Sequence, residues 1–182
     1  MSDAEDNLMI RRELNVTRNA PHVWSFVREM GNWASLMPGY ISHEHLGDDD
    51  SLWTLQVDIG PFKRPVAIDV HVLLWDEPHH VAFEIKGRHD PFRGSGTFTS
   101  EEFGHDTRIT LEFRAEPTGS MAKLLVPLIP PILRRVADHF TANLQQALDP
   151  GKTHVPLDTV SSTPPRGFWA WLISRFLPRK TV

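Results

Sequence analysis

The chain has 182 residues, of which 40% are hydrophobic, 23% charged and 9% aromatic, enough for one folded domain and a short appendage. It has no cysteine, which excludes disulfides, thiolate metal sites, iron–sulfur clusters and thiol nucleophiles. The formal net charge of −4 conceals a division: residues 151–182 hold five bases against one acid, while the remaining body holds 14 bases against 22 acids. That acidic body argues against body-wide nucleic-acid binding, and the basic tail reads as a separate device.

The opening residues, MSDAEDNLMIRR, carry acids and no apolar run, so no secretory signal is expected there. No stretch approaches the ~18 apolar residues a membrane-spanning helix needs. Met9 to Val16 reads as a first strand. Asn19-Ala20-Pro21 then opens a helix, with Pro21 in the first turn, where its missing N–H costs nothing. Val23, Phe26, Val27 and Met30 give that helix one apolar face, and Gly31 and Asn32 are expected to stop it. Trp33, Leu36 and Met37 belong to a short helix or turn ending at Pro38-Gly39.

From Tyr40 to Glu116 the period becomes two. Trp53, Leu55, Val57 and Ile59 alternate with polar residues, as do Val66, Ile68, Val70, Val72 and Leu74, then Val81, Phe83 and Ile85, then Ile109, Leu111 and Phe113. Each run reads as an antiparallel strand with one apolar face. The Gly94-Ser95-Gly96 stretch suggests a bulge or bend within a strand. Beyond Leu124–Pro131, whose prolines must interrupt any helix, Ile132, Val136, Phe140, Leu144 and Leu148 recur at i+4. This long helix, about 27 Å at 1.5 Å per residue, is the cover for the one-sided sheet. The result is an α+β layered fold.

Residues 149–166 hold four prolines and little that is apolar, a linker able to extend roughly 60 Å at most. Residues 167–182 follow as a short tail. Phe168, Trp169, Trp171, Leu172, Ile173, Phe176 and Leu177 are its large apolar residues, and Arg166, Arg175, Arg179 and Lys180 flank them. An eleven-residue helix reaches only ~16 Å, so the segment cannot span a bilayer. Tryptophans and bases without acids suit an interfacial helix on an anionic leaflet. The other account is a tail folding back into a groove of the body or of a partner.

Other motifs carry less. Ten histidines, among them His43 and His45 on one strand face, lack a third ligand at metal spacing, so no metal is expected. Asp48-Asp49-Asp50 lacks the alternation of a calcium loop and reads as a hairpin turn. Gly94-Ser95-Gly96 is neither a nucleophile elbow nor a phosphate loop, and no catalytic residue is assigned.

The order of these motifs resembles a known family. Asn19-Ala20-Pro21 with Val23, Trp24 and Phe26 resembles the opening of the START-like (SRPBCC, Bet v 1-type) superfamily. Leu36-Met37-Pro38-Gly39, then Val57, Ile59-Gly60-Pro61-Phe62-Lys63, Gly94, Gly96 and Phe98, and finally Phe140 and Asn143, are similar to the family of the G-type subunit of carbon monoxide dehydrogenase. The resemblance spans about residues 8–148. It implies a helix-grip fold, a curved antiparallel sheet around a long C-terminal helix, with residues 1–148 as a START-like ligand-binding domain. The bulky, proline-broken stretch before the long helix departs from the family pattern.

On the residues alone, the apolar stripes read as a filled core; the resemblance adds a hydrophobic cavity. Its expected wall comprises Trp33, Leu36 and Met37 after the first helix, then Trp53, Leu55, Val57, Ile68, Val70, Phe83 and Ile85 from the strands. Leu125, Leu128, Ile129, Ile132, Val136 and Phe140 complete it from the C-terminal segment. The mouth is expected near Trp33–Met37 and Leu124–Pro131. The resemblance further implies a polyprenyl quinone, menaquinone or ubiquinone, as ligand, and a molybdenum-containing dehydrogenase as partner. It places the protein in the cytoplasm, peripheral on the inner face of the cytoplasmic membrane. Non-enzymatic delivery of the quinone is the expected function, the acidic body docking on a basic partner and standing off from anionic lipid. The alternatives are a polyketide cyclase or aromatase on the same fold, for which Tyr40, Thr97 and Thr99 are the polar candidates, or a tether with a filled core.

Overall fold

The computed structural model describes residues 8–59, 62–120 and 122–151; the tail expected at 167–182 and nearly all of the 149–166 linker lie outside the described residues. The elements are β1 (Met9–Val16), α1 (Ala20–Val27), α2 (Met30–Leu36), β2 (Tyr40–His45), β3 (Asp50–Ile59), β4 (Phe62–Asp76), β5 (His80–Gly87), β6 (Phe92–Phe103) and β7 (Asp106–Pro117). A short helix α3 (Ala122–Leu125), a 3₁₀ turn (Val126–Leu128) and α4 (Ile129–Leu148) complete the described chain. The strands form one curved antiparallel sheet in the order β1-β7-β6-β5-β4-β3-β2. β2 to β7 pair with their sequence neighbours, whereas β1 reaches the far edge beside β7 because α1 and α2 carry the chain across.

α1 begins as its sequence dictates. The Asn19 side chain accepts the His22 N–H at 3.1 Å and Pro21 lies in the first turn. Its end differs from expectation. Arg28 N–H closes on the Trp24 carbonyl, Glu29 turns extended, and Gly31 and Asn32 lie inside α2 rather than stopping α1. Gly31 is there for space: a β-carbon would stand 2.5 Å from Nε2 of His43 on β2.

Two further expectations are corrected by phase. In β4 the alternation runs true through Val72, then the register with β5 slips between Val72 and Leu74. The extra residue of a bulge inverts the faces beyond it, so Leu74 is 48% exposed and Trp75 turns inward to pack on the core. In β6, by contrast, Gly94 and Gly96 pair in unbroken register on both sides, so they mark no bulge. They admit close neighbours instead: a β-carbon on Gly96 would lie 2.4 Å from the tip of Phe83.

α4 covers the concave face and lies against β1 and β7. Its buried side chains are Leu133, Ala137, Phe140, Thr141, Leu144, Gln145 and Leu148. Ile132, expected inward, is 37% exposed. The reason is geometric: a strict i+4 stripe advances about 40° per step, so Ile132 sits about 160° around the helix from Leu148. The C-terminal half of α4 is fastened to the first strand. Gln145 Nε2 donates to the Asn15 carbonyl at 3.3 Å, Arg12 pairs with Asp138 at 2.7 Å, and Asp149 accepts the Thr17 N–H at 3.0 Å.

Candidate functional site

Between the sheet and α4 lies a cavity with an almost wholly apolar wall. α4 contributes Leu133, Val136, Phe140 and Leu144, the helical crossover contributes Val27, Trp33 and Met37, and the strands contribute Trp53, Ile68, Phe83, Ile85, Phe98, Leu111 and Phe113. Room for the centres of water-sized spheres is about 90 Å³, several times what one water needs. The whole space between atoms, open solvent included, is about 840 Å³.

The wall follows from strand alternation. Phe113, Leu111 and Ile109 are inward on β7, facing Gly96, Phe98 and Ser100 of β6. Because Gly96 has no side chain, the Phe83 ring of β5 lies over it and reaches the Phe113 ring, 6.4 Å away between centroids. Aromatic contacts then continue in both directions. Phe113 meets Phe140 of α4 at 5.7 Å; Phe83 meets Trp33 at 5.5 Å, Trp33 meets Trp75 at 5.7 Å and Trp75 meets Trp24 at 6.0 Å. Offset and edge contacts of this kind add to the area the rings bury. Trp33 is anchored by its Nε1–H, which donates to the Val27 carbonyl at 2.6 Å.

Ser95 and Arg114, cross-strand partners, border the cavity as well, beside Ala115. Both stand at outward positions between inward neighbours, so their side chains leave the sheet on its other face. No buried side-chain nitrogen or oxygen lacks a hydrogen-bond partner among the described residues. Nor do those residues contain a metal-holding group of histidine and carboxylates. His43 and His45 do share a face, their rings 5.3 Å apart, and His43 Nδ1 is bonded to the Tyr40 hydroxyl at 2.9 Å.

Of the sixteen residues expected in the wall, Trp33, Met37, Trp53, Ile68, Phe83, Ile85, Val136 and Phe140 are brought together there. Trp33, expected near the mouth, is buried within the run of aromatic rings. Leu36, Leu55 and Val70 are packed in the core and Val57 rests partly buried against it, none of them bordering the cavity. Leu125 and Leu128, in the segment leading into α4, and Ile129, its first residue, are half-buried outside the wall, and Ile132 faces solvent. Sequence reasoning left out Val27, Phe98, Leu111, Phe113, Leu133 and Leu144. Leu111 and Phe113 were legible as an inward pair, and Phe98 by its phase with Gly96; Leu133 needed the true helix face.

A curved antiparallel sheet gripping a C-terminal helix over an apolar cavity is the helix-grip architecture of START-like proteins. Residues 9–149 match the family described as polyketide cyclase / dehydrase and lipid transport, and the chain belongs to that family. Among solved structures it is similar to a conserved protein from Geobacillus kaustophilus, with a TM-score of 0.67 and 19% identity over 78% of this chain and 95% of that one. A START superfamily protein from Mycobacterium smegmatis gives 0.63 and 13%, over 77% and 96%. An aromatase/cyclase, Zhui, from Streptomyces sp. R1128 gives 0.55 and 14%, over 77% and 90%. At these identities the likeness is one of fold. No curated protein matches the chain.

Proposed function

We propose that the protein is a non-enzymatic carrier of an apolar ligand, a polyprenyl quinone of the menaquinone or ubiquinone type. In this proposal it links a molybdenum-containing dehydrogenase to the quinone pool at the inner face of the cytoplasmic membrane, where residues 167–182 dock. The observation that carries the reading is the apolar wall. A quinone with an isoprenoid tail is expelled by water at about 25 cal/mol per Å² of apolar surface, and a dry wall recovers that energy without chemistry. The ligand supplies the redox reaction; the chain supplies solubility and placement. Sites for drug-sized ligands span ~300–1,000 Å³, so a long cargo would occupy the outer recess as well as the enclosed space. The dehydrogenase partner rests on the motif resemblance to the G-type subunit of carbon monoxide dehydrogenase. Among the described residues no helix is long and apolar enough to cross a membrane, which is compatible with a peripheral protein.

The family description and the aromatase/cyclase likeness favour a second reading, cyclisation of a polyketide. Such an enzyme needs an acid or base beside the substrate. Tyr40 lies on the edge strand bonded to His43, and Thr99 is bonded to His80 at 3.1 Å; neither they nor Thr97 border the cavity. The wall therefore supports the carrier.

Mass spectrometry of organic extracts from freshly purified protein tests the carrier directly. A stoichiometric isoprenoid quinone is expected; a clean extract after purification and after incubation with quinone-loaded vesicles would defeat it. With cargo in hand, reconstitution with the dehydrogenase and quinone-loaded liposomes tests the link: quinol formation must depend on this chain.

A further inference from the structure

The acidity of the body is uneven. Between Glu116 and Asp138 the sequence contains no acidic residue, and it carries Lys123, Arg134 and Arg135. The two bounding acids are occupied, Glu116 by Arg93 at 2.7 Å and Asp138 by Arg12 at 2.7 Å. The three cations make no ion pair or hydrogen bond among the described residues, and all three are exposed. They surround the turn into α4, where Pro127, Pro131 and Ile132 are exposed and no residue of the 3₁₀ turn is buried. On the helix, Pro131 and Arg135 lie about 40° apart, with Ile132 about 60° to one side of Arg135 and Arg134 about 100° to the other. All four occupy the solvent arc of the first turns. The next residues of the same helix, Leu133 and Val136, line the cavity.

We infer that this turn is a docking surface of the body itself for an anionic lipid bilayer, placing α4's N-terminal end and the adjoining cavity wall at the membrane. Charge chooses the occupant. Residues 152–182 are themselves basic, so the chain's own tail is repelled from the patch. A second copy docked through a two-fold axis would set the same cations against each other. An acidic surface is required, and exposed Ile132 next to exposed Pro131 suits the apolar boundary of a bilayer. The inference rests on the carrier reading, since delivery needs the cavity at the lipid, but it concerns contact and not cargo.

The chain's lack of cysteine gives a local test. An environment-sensitive thiol dye is placed on the full-length protein at Ile132→Cys, or as the control at Phe103→Cys, the 71% exposed last residue of β6. Vesicles are either phosphatidylcholine or an equal mixture with phosphatidylglycerol. The expected result is a blue shift, quenchable by a lipid-borne quencher, at position 132 with the anionic vesicles only. Arg134→Glu with Arg135→Glu should weaken that response at least tenfold, near ~1 kcal/mol per base at a charged membrane surface. The Trp169→Ser, Trp171→Ser variant should retain the shift at sufficient lipid. A silent dye at 132 while the protein sediments with anionic vesicles overturns the inference and leaves the tail as the contact. A silent dye without sedimentation also overturns it and leaves an acidic protein as the occupant. An equal shift on neutral vesicles removes the charge argument. Extractable cargo with a silent dye defeats this inference alone; a dye response with no cargo defeats the carrier alone.

Discussion

Around α1 the polar groups are answered from within the protein; at the turn into α4 cations and apolar side chains face outward. At the first end Asn19 caps the helix, Thr107 Oγ1 donates to the Arg18 carbonyl at 2.6 Å and Ser100 Oγ to the Pro78 carbonyl at 2.6 Å. Trp75 Nε1–H reaches Asp49 at 2.8 Å, and the Arg28 guanidinium lies over the Trp75 ring at 4.2 Å. At the second end α4 starts from Leu128 with no side-chain cap. α4 is tied to the first strand and the turn after it through Asp138, Gln145 and Asp149, while the cavity-lining residues run along it from Leu133 to Leu144. Local stability follows the density of buried contacts and satisfied bonds. The difference teaches that the polar groups of one end are spent inside the fold, while those of the other are left facing solvent.

The largest effect should come from the closed end. Trp33→Ala removes a buried ring that touches Trp75 and Phe83 and an indole bonded to the α1 backbone. It should cost about 3–5 kcal/mol in chemical denaturation; a loss below about 1 kcal/mol would mean that the two ends are equally soft. Next is Gly96→Val, which sets a side chain 2.4 Å from Phe83 and 2.9 Å from the Glu112 carbonyl. Overpacking there should cost about 1–3 kcal/mol and alter near-ultraviolet circular dichroism as the rings move. Asn19→Ala, which leaves the His22 N–H only the Asn19 backbone carbonyl at 3.1 Å, should cost about 1 kcal/mol.

How much of this was legible depended on whether a pattern is local. Strand alternation announced β3, β4, β5 and β7, and Asn19-Ala20-Pro21 announced the first helix start, because each rests on neighbours in sequence. Trp75 escaped because one extra residue at a bulge reverses the faces after it, which no alternation can foretell. Ile132 was misplaced because an i+4 stripe drifts around a helix; the i+3 and i+4 alternation of Leu133, Ala137, Phe140, Leu144 and Leu148 is the stripe that stays on one side. Gly94 and Gly96 could be seen, but not their purpose, since Phe83 comes from another strand. The cavity was legible only through resemblance, as a hollow and a filled core share the same apolar faces.

The smallest change in stability should be the most telling about the hollow. Val136 is half-buried and borders the cavity. In a filled core Val136→Phe would be overpacked, at about 1–3 kcal/mol. Here the added ring has space to enter, so the substitution should be neutral or stabilise by about 0.5 kcal/mol, the low end for cavity filling. On the carrier reading proposed above, the same ring takes space from the ligand, and extractable ligand should fall several-fold while the melting curve barely moves. Gly96→Val, set directly against Phe83, should do the reverse, losing stability first. If Val136→Phe instead destabilises as strongly as Gly96→Val, the wall at α4 is as tightly closed as the sheet, and the contrast between the two ends fails.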